Sequence, residues 1–213
     1  SYELGWKGQL MDGRLTASLA GFFIDYDKRQ IEFQAQSNGS VIEGIVNLGD
    51  SKHQGVEAEV AFQVSESLLL SASAGYVDAE WDNGTIVLGA DLGGSTPPAV
   101  NDFSWNVAAD FRQPLADGLD VIAGVQVSHS GEYEGLQAWD PITNPDYTVV
   151  NAQLGVAGER WELVVGVENL FDEEYYHDVQ RFPNFFMLDG GPNIIIGTLG
   201  QPRLVTATLS YRF

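Results

Sequence analysis

Apolar and polar residues alternate with a period of two along most of this chain. Near the C-terminus Val205, Ala207, Leu209, Tyr211 and Phe213 are apolar, with Thr206, Thr208, Ser210 and Arg212 between them. That spacing predicts a strand with one apolar and one wet face. The same pattern sets Tyr2, Leu4, Trp6 and Leu10 against Glu3, Lys7 and Gln9, and Val56, Ala58, Val60, Phe62 and Val64 against Glu57, Glu59 and Gln63. It recurs from Leu68 to Tyr76, Phe103 to Arg112, Asp120 to Ser128, Thr148 to Val156 and Trp161 to Glu168. One stretch is mixed: Leu15, Ala17 and Leu19 mark one face, then Phe22, Ile24 and Tyr26 the other, so a bulge near Gly21 is expected.

These segments make about nine strands, with no helical periodicity between them. Their connections alternate in length. Short turns fall at 11–14, 65–67, 113–118 and 158–160, and long loops at 35–54, 82–102, 131–146 and 171–200. Two all-β architectures bury such faces. A soluble sandwich covers them with a second sheet. A membrane barrel covers them with lipid, and its tight turns and long loops sit on opposite rims. The loop rule and the aromatic ending favour the barrel, and so does the distribution of charge. Glu3, Lys7, Glu57, Glu59, Gln63, Asn106, Asp110, Arg112, Gln126, Asn151, Gln153, Glu162, Glu168 and Arg212 all lie in the polar phase, where a water-filled lumen accepts them. The apolar phase carries almost no charge in mid-strand, and Trp6, Tyr76, Phe103, Trp105, Phe111, Trp161, Tyr211 and Phe213 stand near strand ends, as interfacial girdles would.

Composition narrows the functions. A net charge of −20 with only ten basic residues argues against nucleic acid, whose phosphates need a Lys/Arg surface. The absence of cysteine removes disulfides and thiolate metal sites. No apolar run reaches the length of a spanning helix. The first residues, SYELGWKGQL, lack a signal-peptide pattern and already read as strand. If the last strand ends at the periplasmic rim, nine strands place the start of the first at the outer rim. An odd count of this kind is expected of a fragment that lacks earlier strands, open if alone.

GVENLFDEEYY (Gly166–Tyr176), a glycine-rich loop and GQPRLVTATLSYRF (Gly200–Phe213) together resemble the C-terminal end of TonB-dependent outer-membrane receptors. In that family an N-L-F-D-x-x-Y segment leads into the last extracellular loop and G-x-P-R begins the final strand. SKHQGVEAEVAF (Ser51–Phe62) is similar to the family's upstream G-x-E-x-E strand. The resemblance implies a transmembrane antiparallel up-and-down β-barrel of 22 strands, of which residues 1–213 would be about nine C-terminal ones. It implies residence in the bacterial outer membrane, contact with its lipid, and uptake of a ferric siderophore or similar scarce nutrient. Energy would come from the TonB complex through a plug domain, which these residues do not include. A passive porin or a surface adhesin on a similar barrel is the alternative. The family also implies that Leu209, Tyr211 and Phe213 form the signal captured by the barrel assembly machinery.

Ligand capture is expected in the loops. Tyr133, Trp139, Tyr175, Tyr176, His177, Arg181, Phe182, Phe185 and Phe186 are aromatics with a few cations, suited to stacking and cation–π contact with a chelate. For any one of these rings, packing between loops is the plainer reading. Catalysis has little support: His53, His129 and His177 stand at strand ends or in loops, and neither Ser128 nor Ser130 sits in a nucleophile elbow. His177, Asp178 and Asp189 have no compact metal-ligand spacing. Neither an enzyme, a resident metal nor a cofactor is expected.

Overall fold

A computed structural model describes residues 1–37, 40–87, 89–116, 118–135, 142–182 and 194–213. In chain order the strands are β1 (Tyr2–Leu10), β2 (Leu15–Ser37), β3 (Ser40–Ser65), β4 (Leu68–Trp81), β5 (Ile86–Val87), β6 (Ala90–Asp91), β7 (Phe103–Ala116) and β8 (Leu119–Ser130). There follow β9 (Tyr133–Glu134), β10 (Thr143–Asn144), β11 (Tyr147–Ala157), β12 (Trp161–Glu168), β13 (Tyr176–Phe182), β14 (Ile194–Leu199) and β15 (Leu204–Tyr211). Nine of them form one sheet in the order β1-β2-β3-β4-β7-β8-β11-β12-β15, each antiparallel to its neighbour in the sheet. The sheet is not closed. β5–β6, β9–β10 and β13–β14 are separate hairpins inside the three long connections on one rim.

The short rim is made by turn chemistry. Between β1 and β2, Met11, Asp12 and Gly13 all have positive φ, and Gly13 adopts φ 84° with open space where a side chain would be. The turn closes through Gly13 N donating to Leu10 O and Arg14 N to Met11 O.

Register fixes which residues share a face. Leu15↔Phe62, Phe62↔Leu70, Leu70↔Ala109 and Ala109↔Val125 make one outward row, and Ala17↔Val60, Val60↔Ala72, Ala72↔Val107 and Val107↔Val127 make the next. These rows bound an apolar hollow of about 460 Å³ on the outer face. No second sheet covers this side among the described residues: Val107 is 47% exposed and Leu154 62%. Aromatic residues bracket the apolar belt. Tyr2↔Phe23 and Tyr76↔Phe103 stand toward the long-loop rim, and Trp161↔Tyr211 toward the short one.

Two expectations need correction. No bulge occurs at Gly21, which pairs in continuous register with both Leu4 and Val56. The change of phase there is a change of medium. Above the aromatic row the outward positions turn polar (Asp25↔Lys52, Lys52↔Glu80, Gln54↔Asp78) and the inward ones turn apolar or aromatic (Phe22, Ile24, Tyr26, Val77, Ala79, Trp81). The strand leaves lipid for water outside, while inside it acquires a loop-built core. The described residues of 35–54 are likewise strand rather than loop: β2 and β3 stay paired out to Ser37↔Ser40, with irregularities around Arg29. The real register shifts lie at Tyr26/Arg29 and Arg29/Gln30, past the end of the membrane-facing stretch.

Candidate functional site

The elaborated rim holds two side-chain clusters. The first lies where β2, β3 and β4 rise above the aromatic row. Trp81 is buried at 1% exposure and packs with Ile31 and Leu92, and Leu48 and Ala90 lie against them. Its backbone ties the connection between β4 and β7 to the sheet: Trp81 N donates to Ser95 O at 3.0 Å, and Gly94 N donates to Trp81 O at 2.9 Å. Pro97 and Pro98 are buried in the same fold of chain. Arg29 lies with its guanidinium carbon 5.5 Å from the Trp81 ring and 6.0 Å from the Tyr26 ring. Its Nη1 donates to His53 Nε2 at 3.1 Å and its Nη2 to Pro98 O at 3.5 Å. Burial lowers the pKa of Arg29, against an opposing contribution from Tyr26, and burial and then the neighbouring Arg29 charge lower that of His53. On the outer face Lys52 Nζ pairs with Asp82 at 2.7 Å, and that hydrogen bond raises the lysine pKa.

The second cluster joins the connections 131–146 and 169–203. Tyr147 stacks on Tyr175 with ring centroids 4.3 Å apart, and Tyr175 meets His177 edge-on at 5.2 Å. Tyr133 Oη donates to His177 O, and burial, followed by nearby Asp178 and Tyr147, raises the pKa of this phenol. A methyl group on Gly200 would stand 2.3 Å from the Tyr175 ring, so the glycine makes the seat for that ring. Tyr176 sits likewise over Gly197, at 2.7 Å from an added Cβ. The two clusters belong to one rim: Ala99 N donates to Glu134 O at 2.8 Å, and Asn101 Nδ2 to Ser130 Oγ at 2.7 Å.

Below both, the N-L-F-D and P-R segments are clasped together. Asn169, 2% exposed, donates through Nδ2 to Glu173 O and Gln201 O and accepts from Glu173 N through Oδ1. Its own amide donates to Asn151 Oδ1 on β11 at 2.9 Å. Asn169 and Asp172 both adopt positive φ, 49° and 58°, a conformation that Asn and Asp tolerate better than most residues.

Of the expected ligand-facing residues, Tyr133, Tyr175, Tyr176 and His177 come together around the second cluster, and Arg181 is half-buried on β13. His177 is the exposed member. Trp139, Phe185 and Phe186 lie outside the described residues, as do Asp189 and the side chain of Phe182. Leu209 and Tyr211 point outward on β15, with the Tyr211 and Phe213 rings 5.2 Å apart. Sequence reasoning missed Arg29, Tyr26 and Trp81. The usable signal was the inversion of phase at Phe22, Ile24 and Tyr26, read instead as a bulge. Among the described residues no cluster of three His, Cys, Asp or Glu side chains could hold a metal ion.

The family description "TonB dependent receptor-like, beta-barrel" matches residues 1–170. The chain belongs to the TonB-dependent receptor family. Family members are outer-membrane proteins and transporters rather than enzymes. The metal-pseudopaline receptor CntO of Pseudomonas aeruginosa is 30% identical to this receptor chain over 194 residues, 90% of this chain and 26% of that protein. The ferric-pyoverdine M114 receptor PbuA of Pseudomonas sp. (strain M114) is 28% identical over 196 residues, 87% of this chain and 22% of that protein. The chain thus spans about a quarter of the length of the curated relatives it matches. The ferric yersiniabactin uptake receptor FyuA of Yersinia pestis shares the fold, with TM-score 0.76 at 19% identity over 100% of this chain and 29% of that one. All nine strands therefore correspond to part of a TonB-dependent receptor barrel, with the short turns periplasmic and the hairpin-bearing rim extracellular.

Proposed function

We propose that these residues form the C-terminal barrel portion of a receptor that imports a metal chelate, a ferric siderophore above all, across the outer membrane. The observation that carries this reading is the kinship, at 28–30% identity, with receptors named for metal–pseudopaline and ferric–pyoverdine. The rim supports it chemically. Tyr133, Tyr175, Tyr176, His177 and Arg181 gather aromatic faces and a cation at the extracellular mouth, which suits a large chelate with aromatic or anionic groups.

In this reading the polar inner wall encloses a plug domain, and the TonB complex acts on the plug to drive passage. Glu57, Glu59, Asp110, Glu162 and Glu168 give that wall an acidic character suited to a basic partner surface. The test is uptake of radioactive iron presented as a panel of siderophores. Cells making the receptor should accumulate at least one of them, and loss of TonB should abolish uptake. Replacement of the exposed His177 by alanine should weaken binding of that siderophore. Uptake that persists without TonB would instead support a passive porin. Undiminished binding in the His177→Ala variant would remove that residue from the ligand site.

A further inference from the structure

We propose that Arg29 and His53 form an acid-released latch holding residues 92–98 against the inner face of the barrel's extracellular extension. A guanidinium has five donors and no acceptor. The 3.1 Å contact from Arg29 Nη1 to His53 Nε2 therefore requires an unprotonated Nε2, and hence a neutral imidazole. Protonation would place two donors and two positive charges face to face at that distance.

The groups around the ring give the added charge no shelter. From β2 come Arg29 and Tyr26, whose ring meets His53 edge-on at 5.0 Å. From β3 comes Ser51, with Oγ 3.3 Å from Nε2. From β4 the register partner is Ala79, flanked on the inward face by Val77 and Trp81. The connection between β4 and β7 brings the carbonyl of Pro98 to Arg29 and the apolar Leu92 to Trp81. The carboxylates of Asp25, Asp78 and Glu80 stand in the outward row of the sheet, and Asp82 Oδ1 pairs with the outward-facing Lys52. Asp50 Oδ1 accepts the Lys28 amide, and among the described residues Arg29 is the charge that acts on the imidazole.

What the pair holds is specific. Arg29 reaches Pro98 O with its second nitrogen and lies over Trp81, whose backbone in turn bonds Ser95 and Gly94. Repulsion at His53 acts on all of these contacts through a single side chain. The docked arrangement also leaves Trp81 Nε1 buried without a hydrogen-bond partner, an existing cost that lowers the margin holding the segment down. Burial and the Arg29 charge both depress the histidine pKa in the docked state. The sign follows: docking is fully stable above the ordinary histidine value of about 6.5 and weakens as the pH falls below it toward the depressed one.

Hydrogen–deuterium exchange on the receptor in lipid nanodiscs tests this, following the amides of Trp81 and Gly94, which bond across between β4 and the docked segment, between pH 7.5 and 4.5 after correction for intrinsic rates. Their protection should fall by up to about tenfold per pH unit below about 6.5, the limit for one linked proton, while Val60 in the membrane belt stays constant. His53→Gln keeps an acceptor for Arg29 but cannot titrate, and should flatten the profile. Arg29→Gln removes the repelling charge but leaves the burial of the ring, and should make the profile shallower, a second reading should the first variant fold poorly. Protection in the wild type that ignores pH, or a fall that is undiminished in either folded variant, overturns the latch. The outcome does not depend on which chelate the receptor carries.

Discussion

Asp172 Oδ1 accepts the backbone amide of Arg203 at 2.8 Å, joining residues 31 positions apart at the start of the last strand. The same carboxylate lies 3.9 Å from the Arg203 guanidinium, which is half exposed and so adds little beyond orientation. With Asn169 donating to Gln201 O, the clasp holds the beginning of β15 beside the end of β12 before their ladder starts at Glu168↔Leu204. The family motif thus has a mechanical reading: it closes a connection of more than thirty residues so that the strand pairs in one register.

Replacement of Asn169 by alanine strips three side-chain hydrogen bonds from a buried position and should destabilise the folded barrel by roughly 3 kcal/mol. Asp172→Asn keeps an acceptor and should cost less than about 1 kcal/mol. Urea unfolding followed by tryptophan fluorescence compares the two. Equal losses would mean that the exposed charge, not the buried amide, does the fastening.

Two glycines on neighbouring strands should behave oppositely. A Cβ on Gly55 would stand 2.3 Å from Tyr76 O and 2.6 Å from the Phe22 ring, whereas one on Gly75 would meet only Ser104 Oγ at 3.8 Å. Backbone cannot step aside as a side chain can, so Gly55→Ala should lose about 1–3 kcal/mol or more. Gly75→Ala should be near neutral. The fraction of barrel that resists unfolding in cold SDS is a sufficient readout.

How much of this was legible in the sequence differs by region. All nine sheet strands were, because a strand between lipid and lumen alternates, even though β2 changes phase above the belt; the pairing of Val60, Ala72 and Val107 across strands was not. β2 was legible to about Gln34, but the part of β3 before Gly55 was hidden, because above the aromatic row neither face meets lipid and the period-two signal inverts and fades. The clasp at Asn169 was visible as a motif but silent about its partners. The Arg29–His53–Trp81 cluster joins residues more than 50 positions apart through a connection rich in Gly and Pro, and no local pattern points to it.

The membrane belt makes a directional prediction. Val107→Arg puts a charge in mid-belt on the outward face and should cost about 2–4 kcal/mol of barrel stability. Gln126→Arg, in the neighbouring register but on the lumen face, should be tolerated. Folding yields into lipid vesicles compare them, and equal yields would contradict the assignment of faces.

Phe213 is fully exposed beyond β15, beside Tyr211. If this ending serves barrel assembly, its deletion should lower the amount of receptor in the outer membrane while leaving the stability of protein already folded nearly unchanged. Membrane fractionation and urea unfolding separate the two effects. Normal membrane levels would strip the terminal ring of that role.

The inversion of polarity along β2, β3 and β4 also works as a depth gauge. Across one rung of side chains the outward row passes from Gly21, Val56 and Tyr76 to Phe23, Gln54 and Asp78, and on the next it is Asp25, Lys52 and Glu80. The waterline of the outer leaflet is therefore marked on the protein to within about two residues, or roughly 7 Å of strand. A spin label walked along the outward positions of β3 should lose contact with a lipid-soluble relaxant between Val56 and Lys52, and the loop core around Trp81 should stand wholly above that mark.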